Sequence, residues 1–158
     1  MSLDDWILAL HLLAAFALVA SMVGFWVVVV AARTADRPSG VAGALRMSLP
    51  LVILNGVGAV GTLVLGIWLA LSVDGYEIWD GWIIAAILLW MLSGATGGRA
   101  GREYGQVAEQ AARLAADGDA PDEGLAAAMR NPRATGLLAL SSIAAIVILI
   151  LMIWKPGW

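Results

Sequence analysis

The stretch WILALHLLAAFALVASMVGFWVVVVAA, Trp6–Ala32, decides the fold. It carries no formal charge, and it exceeds the roughly 20 residues that a helix needs to cross bilayer hydrocarbon. Ala14, Ala17, Ser21 and Gly24 recur at spacings of three and four. On a helix they form one face of small side chains, where a neighbouring backbone can approach closely. His11, the chain's single histidine, stands three residues before Ala14, on or beside that face. An imidazole is costly in hydrocarbon, so its place is toward protein rather than lipid. It lies five residues inside the interfacial Trp6, about 7–8 Å deeper at the helical rise.

Outward from this span, three more charge-free stretches follow: Met47–Val73, Gly81–Gly98 (with its lead-in from residue 79) and Ala134–Trp154. Together they use most of the 158 residues, 61% of which are hydrophobic and 13% charged. A soluble domain would carry roughly a quarter charged residues. The expected fold is all-α: one membrane domain over residues 1–158, a polytopic four-helix bundle in a lipid bilayer. The opening MSLDDW has two acids and no basic residue, unlike a secretory signal peptide.

Eight of the nine Lys and Arg residues fall in two loops: Arg33, Arg37 and Arg46 in the first, and Arg99, Arg102, Arg113, Arg130 and Arg133 in the third. The other side carries Asp4, Asp5, Asp74, Glu77 and Asp80, with Lys155 near the C-terminus. By the positive-inside rule the basic loops face the cytoplasm and both termini face out. The expected location is the cytoplasmic (inner) membrane of a bacterium. A net charge of −3 offers no basic face for nucleic acid.

Span two opens at Met47–Pro50 and presents Asn55, Gly58, Ala59, Thr62 and Gly66 along one side. This stripe predicts tight packing, with one interhelical hydrogen bond from Asn55. The short turn DGYEIWDG predicts that spans two and three are antiparallel neighbours. Span three has Trp82, Ala86, Trp90, Ser93 and Gly97 along one side, and Gly94/Gly98 and Gly97/Gly101 form overlapping GxxxG spacings that permit close contact, including between subunits. The helix is expected to continue into the cytoplasm over Arg99–Ala116, with Val107, Ala111 and Leu114 as a thin apolar stripe. That stripe either closes the inner end of the bundle or receives a partner. DGDAPDEG then breaks the helix, and a short helical piece, Leu125–Met129, precedes Asn131-Pro132. The segment Arg33–Arg46 reads as a loop around the turn DRPSG.

Catalytic signatures are missing. With one His and no Cys there is no His-rich metal site, thiolate site or Cys–His pair. Paired carboxylates occur only in tails and loops. No acid or base other than His11 lies deep in a span, so a proton relay has nothing else to run on. The outer leaflet nevertheless gathers His11, Met152, Trp68, Trp82 and Trp154, and seven of the ten Trp and Tyr residues, including Tyr76, Trp79 and Trp158, lie near that side. An imidazole, an apolar pocket and a second ligand such as Met152 or another copy's His11 are what a b-type haem requires. A quinone would suit the same pocket, its carbonyl accepting from His11. A neutral imidazole bound to a carbonyl or to Asp80, with the indoles as an interfacial belt, explains the same residues without a ligand.

The early HLLAAF around His11, the run TLVLGIWLAL around Gly66 and Trp68, the following tryptophan-bearing outer turn and the terminal LMIWKPG with Lys155 and Pro156 resemble a bacterial family of small four-span integral membrane proteins, the domain of unknown function 2269. The resemblance covers nearly the whole chain and implies a four-span fold without implying an activity. The early intramembrane histidine is also distantly similar to that of membrane protoporphyrinogen oxidases of the HemJ type and of copper-resistance D proteins, the former associated with haem and porphyrin. Only His11 carries that likeness, because a second histidine is lacking.

Three readings stand side by side. The first is a non-enzymatic membrane subunit that associates with itself or with a larger complex, with Gly24, Asn55, Gly58, Thr62, Gly94 and Gly98 as helix-packing residues. The second is a haem b- or porphyrin-binding redox protein with His11 as the iron ligand. The third is a quinone or lipid binder in the outer aromatic pocket.

Overall fold

The computed structural model describes residues 2–72 and 79–155. Asp74, Tyr76, Glu77, Pro156 and Trp158, all placed on the outer side by sequence, lie outside the described residues. Among the described residues the chain forms six helices: α1 Leu3–Arg33, α2 Pro38–Arg46, α3 Ser48–Ser72, α4 Gly81–Ala116, α5 Glu123–Met129 and α6 Pro132–Trp154. Four helical segments are long and apolar enough to cross a membrane, as the hydrophobic stretches predict.

Side-chain caps set the starts of three helices, α1, α5 and α6. The Ser2 hydroxyl accepts from Asp5 N–H at 3.2 Å while the Asp5 carboxylate accepts from Ser2 N–H at 2.7 Å, a reciprocal capping box that starts α1. Asp122 caps α5 by accepting from Leu125 N–H at 2.6 Å. Asn131 caps α6 by accepting from Arg133 N–H at 2.9 Å, and Pro132 follows at a position where a missing N–H costs nothing. With 36 residues, α4 is about 54 Å long at the helical rise, well beyond the roughly 30 Å of hydrocarbon. The helix continues unbroken through the charged Arg99–Ala116 stretch, as the sequence predicts.

The four long helices form two tight pairs. α1 packs chiefly on α3, and α4 chiefly on α6. The first pair closes through glycine: a Cβ added at Gly58 would sit 2.7 Å from the Leu18 amide nitrogen and 2.9 Å from the Ala14 carbonyl oxygen. The second closes through serines. Ser93 donates to the Ser141 carbonyl at 3.0 Å, Ser141 donates to the Ser93 carbonyl at 2.9 Å, and a Cβ at Gly97 would meet Ser141 Oγ at 2.8 Å.

Between the pairs, indoles act as spacers. Trp26 Nε1 donates to Ser142 Oγ at 3.0 Å from α1 to α6, and Trp90 Nε1 donates to the Ala59 carbonyl at 3.2 Å from α4 to α3. The short outer turn therefore does not make α3 and α4 close packing partners. Small residues direct α3 toward α1, and the bulk of Trp90 occupies the seam between α3 and α4.

The basic end holds a compact core. Val28, Val29 and Ala32 of α1, Val41 and Leu45 of α2, Ala100, Tyr104, Val107 and Ala111 of α4, Leu125 and Met129 of α5, and Ala134 and Leu138 of α6 are buried together. Here the structure departs from the loop expected over Arg33–Arg46. Pro38–Arg46 is helical because Val41 and Leu45, one turn apart, are buried in this core beside α4. The Val107–Ala111–Leu114 stripe of α4 packs in the same core, so it closes this end rather than lying bare.

One tertiary cap locks this end. After α4 the chain turns through left-handed backbone at Gly118 (φ 98°) and Asp119 (φ 53°). The turn aims the Asp119 carboxylate at the start of α2, where it accepts from the Ser39 N–H at 2.8 Å and the Ser39 hydroxyl at 2.7 Å. These bonds, first the hydroxyl and then the amide, with Arg37 adding attraction, hold the Asp119 carboxyl below the usual carboxylate range. Because the folded value is depressed, the contribution is present above the unfolded value near ~4 and is lost as pH falls through the folded value. In an NMR titration Asp119 should titrate below the usual carboxylate range, and Ser39→Ala should move it back up. An Asp119 titration unaffected by Ser39→Ala would contradict the cap.

Candidate functional site

The polar residues of α1 and α3 meet within their shared interface. His11 is 7% exposed and Thr62 is 5% exposed. The imidazole occupies space that Gly66 leaves open: a Cβ there would lie 3.0 Å from His11 Cε1 and 3.5 Å from Nδ1. The backbone of Thr62 borders the same ring. Among the described residues, His11 Nδ1 and Thr62 Oγ1 are buried and have no hydrogen-bond partner. An unmet buried polar group costs about 1–3 kcal/mol.

Deeper along the pair, Ser21 is 1% exposed and accepts from Asn55 Nδ2 at 3.0 Å, the interhelical bond expected of Asn55. Asn55 itself stands at the exposed edge of the interface rather than inside it. Gly24 packs on the Leu51 side chain, whose Cδ2 would lie 2.9 Å from an added Cβ.

The remaining residues singled out by sequence are distributed differently. Trp68 is 51% exposed and Trp154 79% exposed, both turned away from the helix interfaces. Met152 on α6 and Trp82 on α4 are half-buried and belong to the other helix pair. The ring of His11 is defined by α3, through Gly66 and Thr62. A carbonyl or a hydroxyl is the kind of group that can hydrogen-bond a neutral imidazole nitrogen.

Gly94 and Gly98 behave unlike the other interhelical glycines. At Gly24, Gly58, Gly61, Gly66 and Gly97 an added Cβ meets a neighbouring helix within 3.0 Å. At Gly94, Gly98, Gly101 and Gly105 it meets nothing within 4 Å. These four positions follow one another at spacings of four, three and four, so they share one stripe of α4. Among the described residues nothing covers the stripe.

A second feature was not legible from sequence. Arg33, Arg130, Pro132, Thr135, Gly136 and Ala139 line a cavity of about 430 Å³ at the basic end. Arg33 and Arg130 are far apart in the chain, and the sequence signal that anticipates their meeting is slight: an arginine closing span one, and small residues opening span four.

The fold and its site are those of a polytopic helical membrane protein whose polar groups lie between helices. The family of predicted integral membrane proteins catalogued as DUF2269 matches residues 5–156, and the chain belongs to it. No curated protein and no solved structure matches the chain. The likeness of His11 to haem-linked families therefore rests on that residue alone.

The Gly58 contact can be tested against a glycine on the same helix. Gly58→Val drives two methyls into the α1 backbone and should destabilise the protein by about 3 kcal/mol or more. Gly56→Val, at a position with nothing within 4 Å, should be nearly neutral. Equal effects in a denaturation series in detergent would contradict the packing described.

Proposed function

We propose that the protein is a non-enzymatic membrane subunit that associates with a second copy of itself through the glycine stripe of α4. The observation that carries this reading is the uncovered run Gly94–Gly98–Gly101–Gly105. Each glycine inside a helix costs about 0.5–1 kcal/mol relative to alanine. Where glycines face another helix in this chain, close packing offsets that cost. On the outer face of α4 the offset would come from a partner, and two copies can cross at Gly94 and Gly98 with their backbones in contact. A two-fold arrangement uses the same stripe on both copies. Incorporation into a larger complex through the same face is the alternative partner. In this reading the basic end faces the cytoplasm and both termini face out, in a bacterial inner membrane.

The chain has no cysteine, so single cysteines report contacts cleanly. Gly98→Cys in native membranes should give a disulfide-linked dimer on mild oxidation, while Gly56→Cys on α3 should not. Gly94→Leu with Gly98→Leu should shift the purified protein to monomer without unfolding it. A Gly98→Cys protein that stays monomeric under oxidant, with an unchanged oligomeric state in the leucine variant, would overturn self-association.

The unmet His11 Nδ1 and Thr62 Oγ1 favour a second reading, a carbonyl-bearing quinone or lipid held between α1 and α3. It predicts extractable quinone or lipid that is lost in His11→Leu. The haem reading predicts a Soret band lost in the same variant, and a colourless preparation from haem-replete cells would sink it.

A further inference from the structure

We infer that the cavity at the basic end binds the phosphate of an anionic phospholipid, with one acyl chain lying along α6. Arg33 is fixed by neutral partners: its Nε donates to the Met129 carbonyl at 3.0 Å, and its terminal nitrogen donates to the Thr135 hydroxyl. Thr135 in turn donates to the Asn131 carbonyl at 3.1 Å. These acceptors orient the guanidinium without cancelling its charge. Arg130 follows α5 and reaches the same cavity.

Among the described residues the ion pairs are Arg113 with Glu109 and Arg133 with Glu103, so neither Arg33 nor Arg130 has a carboxylate partner there. Two uncompensated guanidiniums on one cavity define a site for a doubly coordinated oxyanion such as phosphate. The positive end of the α6 dipole adds to the same potential.

The shape of the cavity decides between a free anion and a lipid. Its polar wall is Arg33, Arg130 and Thr135, and its other wall is Pro132, Gly136 and Ala139 at the start of the α6 span. A Cβ at Gly136 would meet nothing within 4 Å, so a groove is left beside the helix. Farther along α6, Leu140 and Ile143 are 42% and 57% exposed, which continues the groove as an apolar, membrane-facing strip. A site with guanidiniums where the membrane-spanning part of α6 begins and an apolar groove leading into the span matches a headgroup and its chain. Basic pockets between membrane helices recognise acidic headgroups in this way.

The test uses the full-length protein purified in a neutral detergent and supplied with dioleoyl-phosphatidylglycerol, dioleoyl-phosphatidylcholine or inorganic phosphate. Binding is read by native mass spectrometry and by the shift in thermal unfolding. Phosphatidylglycerol should bind in preference to phosphatidylcholine and raise the unfolding temperature, and phosphate should not compete with it. Arg130→Gln should weaken phosphatidylglycerol binding about fivefold, since it removes one basic contact and no internal hydrogen bond. Gly136→Leu should fill the groove and abolish the preference, whereas Arg113→Gln should change nothing. Arg33→Gln also removes two structural hydrogen bonds, so Arg130 and Gly136 are the decisive positions. Equal binding of both lipids, or an unchanged preference in Arg130→Gln and Gly136→Leu, would overturn the inference. Competition by phosphate at equal strength would assign the site to a free anion and overturn the lipid.

Discussion

The structure depends on how closely α1 and α3 approach at Gly58. In lipid no hydrophobic force draws one apolar helix to another, because acyl chains are as apolar as leucine. Helices associate where dispersion contacts and interhelical hydrogen bonds exceed those available from lipid. At Gly58 the missing side chain lets α3 reach the α1 backbone at Ala14 and Leu18. That approach places Asn55 within reach of Ser21 and encloses His11 against Gly66. The second pair uses the same logic with the Ser93 and Ser141 hydroxyls, each donating to the other residue's carbonyl.

The two ends of the molecule follow different physics. Within the membrane, small residues make the tight contacts and large apolar side chains face outward, including Phe16 at 70% and Ile53 at 69% exposure. At the basic end the order reverses. Val29, Leu45, Tyr104, Leu125 and Met129 are buried together, as in a water-soluble core. Phe25 meets the Tyr104 ring edge-on at 6.0 Å, which joins the membrane portion to this core. Arg33 serves both regions: it ends α1, fastens α5 and α6 by two hydrogen bonds, and leaves its charge available.

Much of this is readable in the residues. The spans follow from unbroken apolar runs, and the Gly58–Thr62–Gly66 face follows from small residues at helical spacing. Other features depend on partners that the chain supplies from far away. Pro38–Arg46 contains two glycines and a proline and has the composition of a loop, yet it is a helix because the core beside α4 accepts Val41 and Leu45. The pairing of α3 with α1 rather than α4 turns on Trp90, whose role as a spacer is set by an acceptor, Ala59, on another helix. The Arg33–Arg130 cavity brings together residues separated by most of the chain, and no local pattern records it. Small residues and aromatics surround His11 in the sequence reading. The structure sets Gly66 and the Thr62 backbone among its immediate neighbours.

Small residues hold α1 and α3 as a close pair. Ala14 and Gly61 face each other across that interface, with an added Cβ at Gly61 only 3.0 Å from the Ala14 Cβ. A disulfide brings two Cβ atoms to about 3.8 Å, within a small adjustment of this spacing. In the cysteine-free chain, Ala14→Cys with Gly61→Cys should oxidise readily in native membranes to an intramolecular disulfide, seen as faster migration of the monomer without reductant. Failure of that pair to close within the monomer, in folded protein under oxidant, would contradict the account.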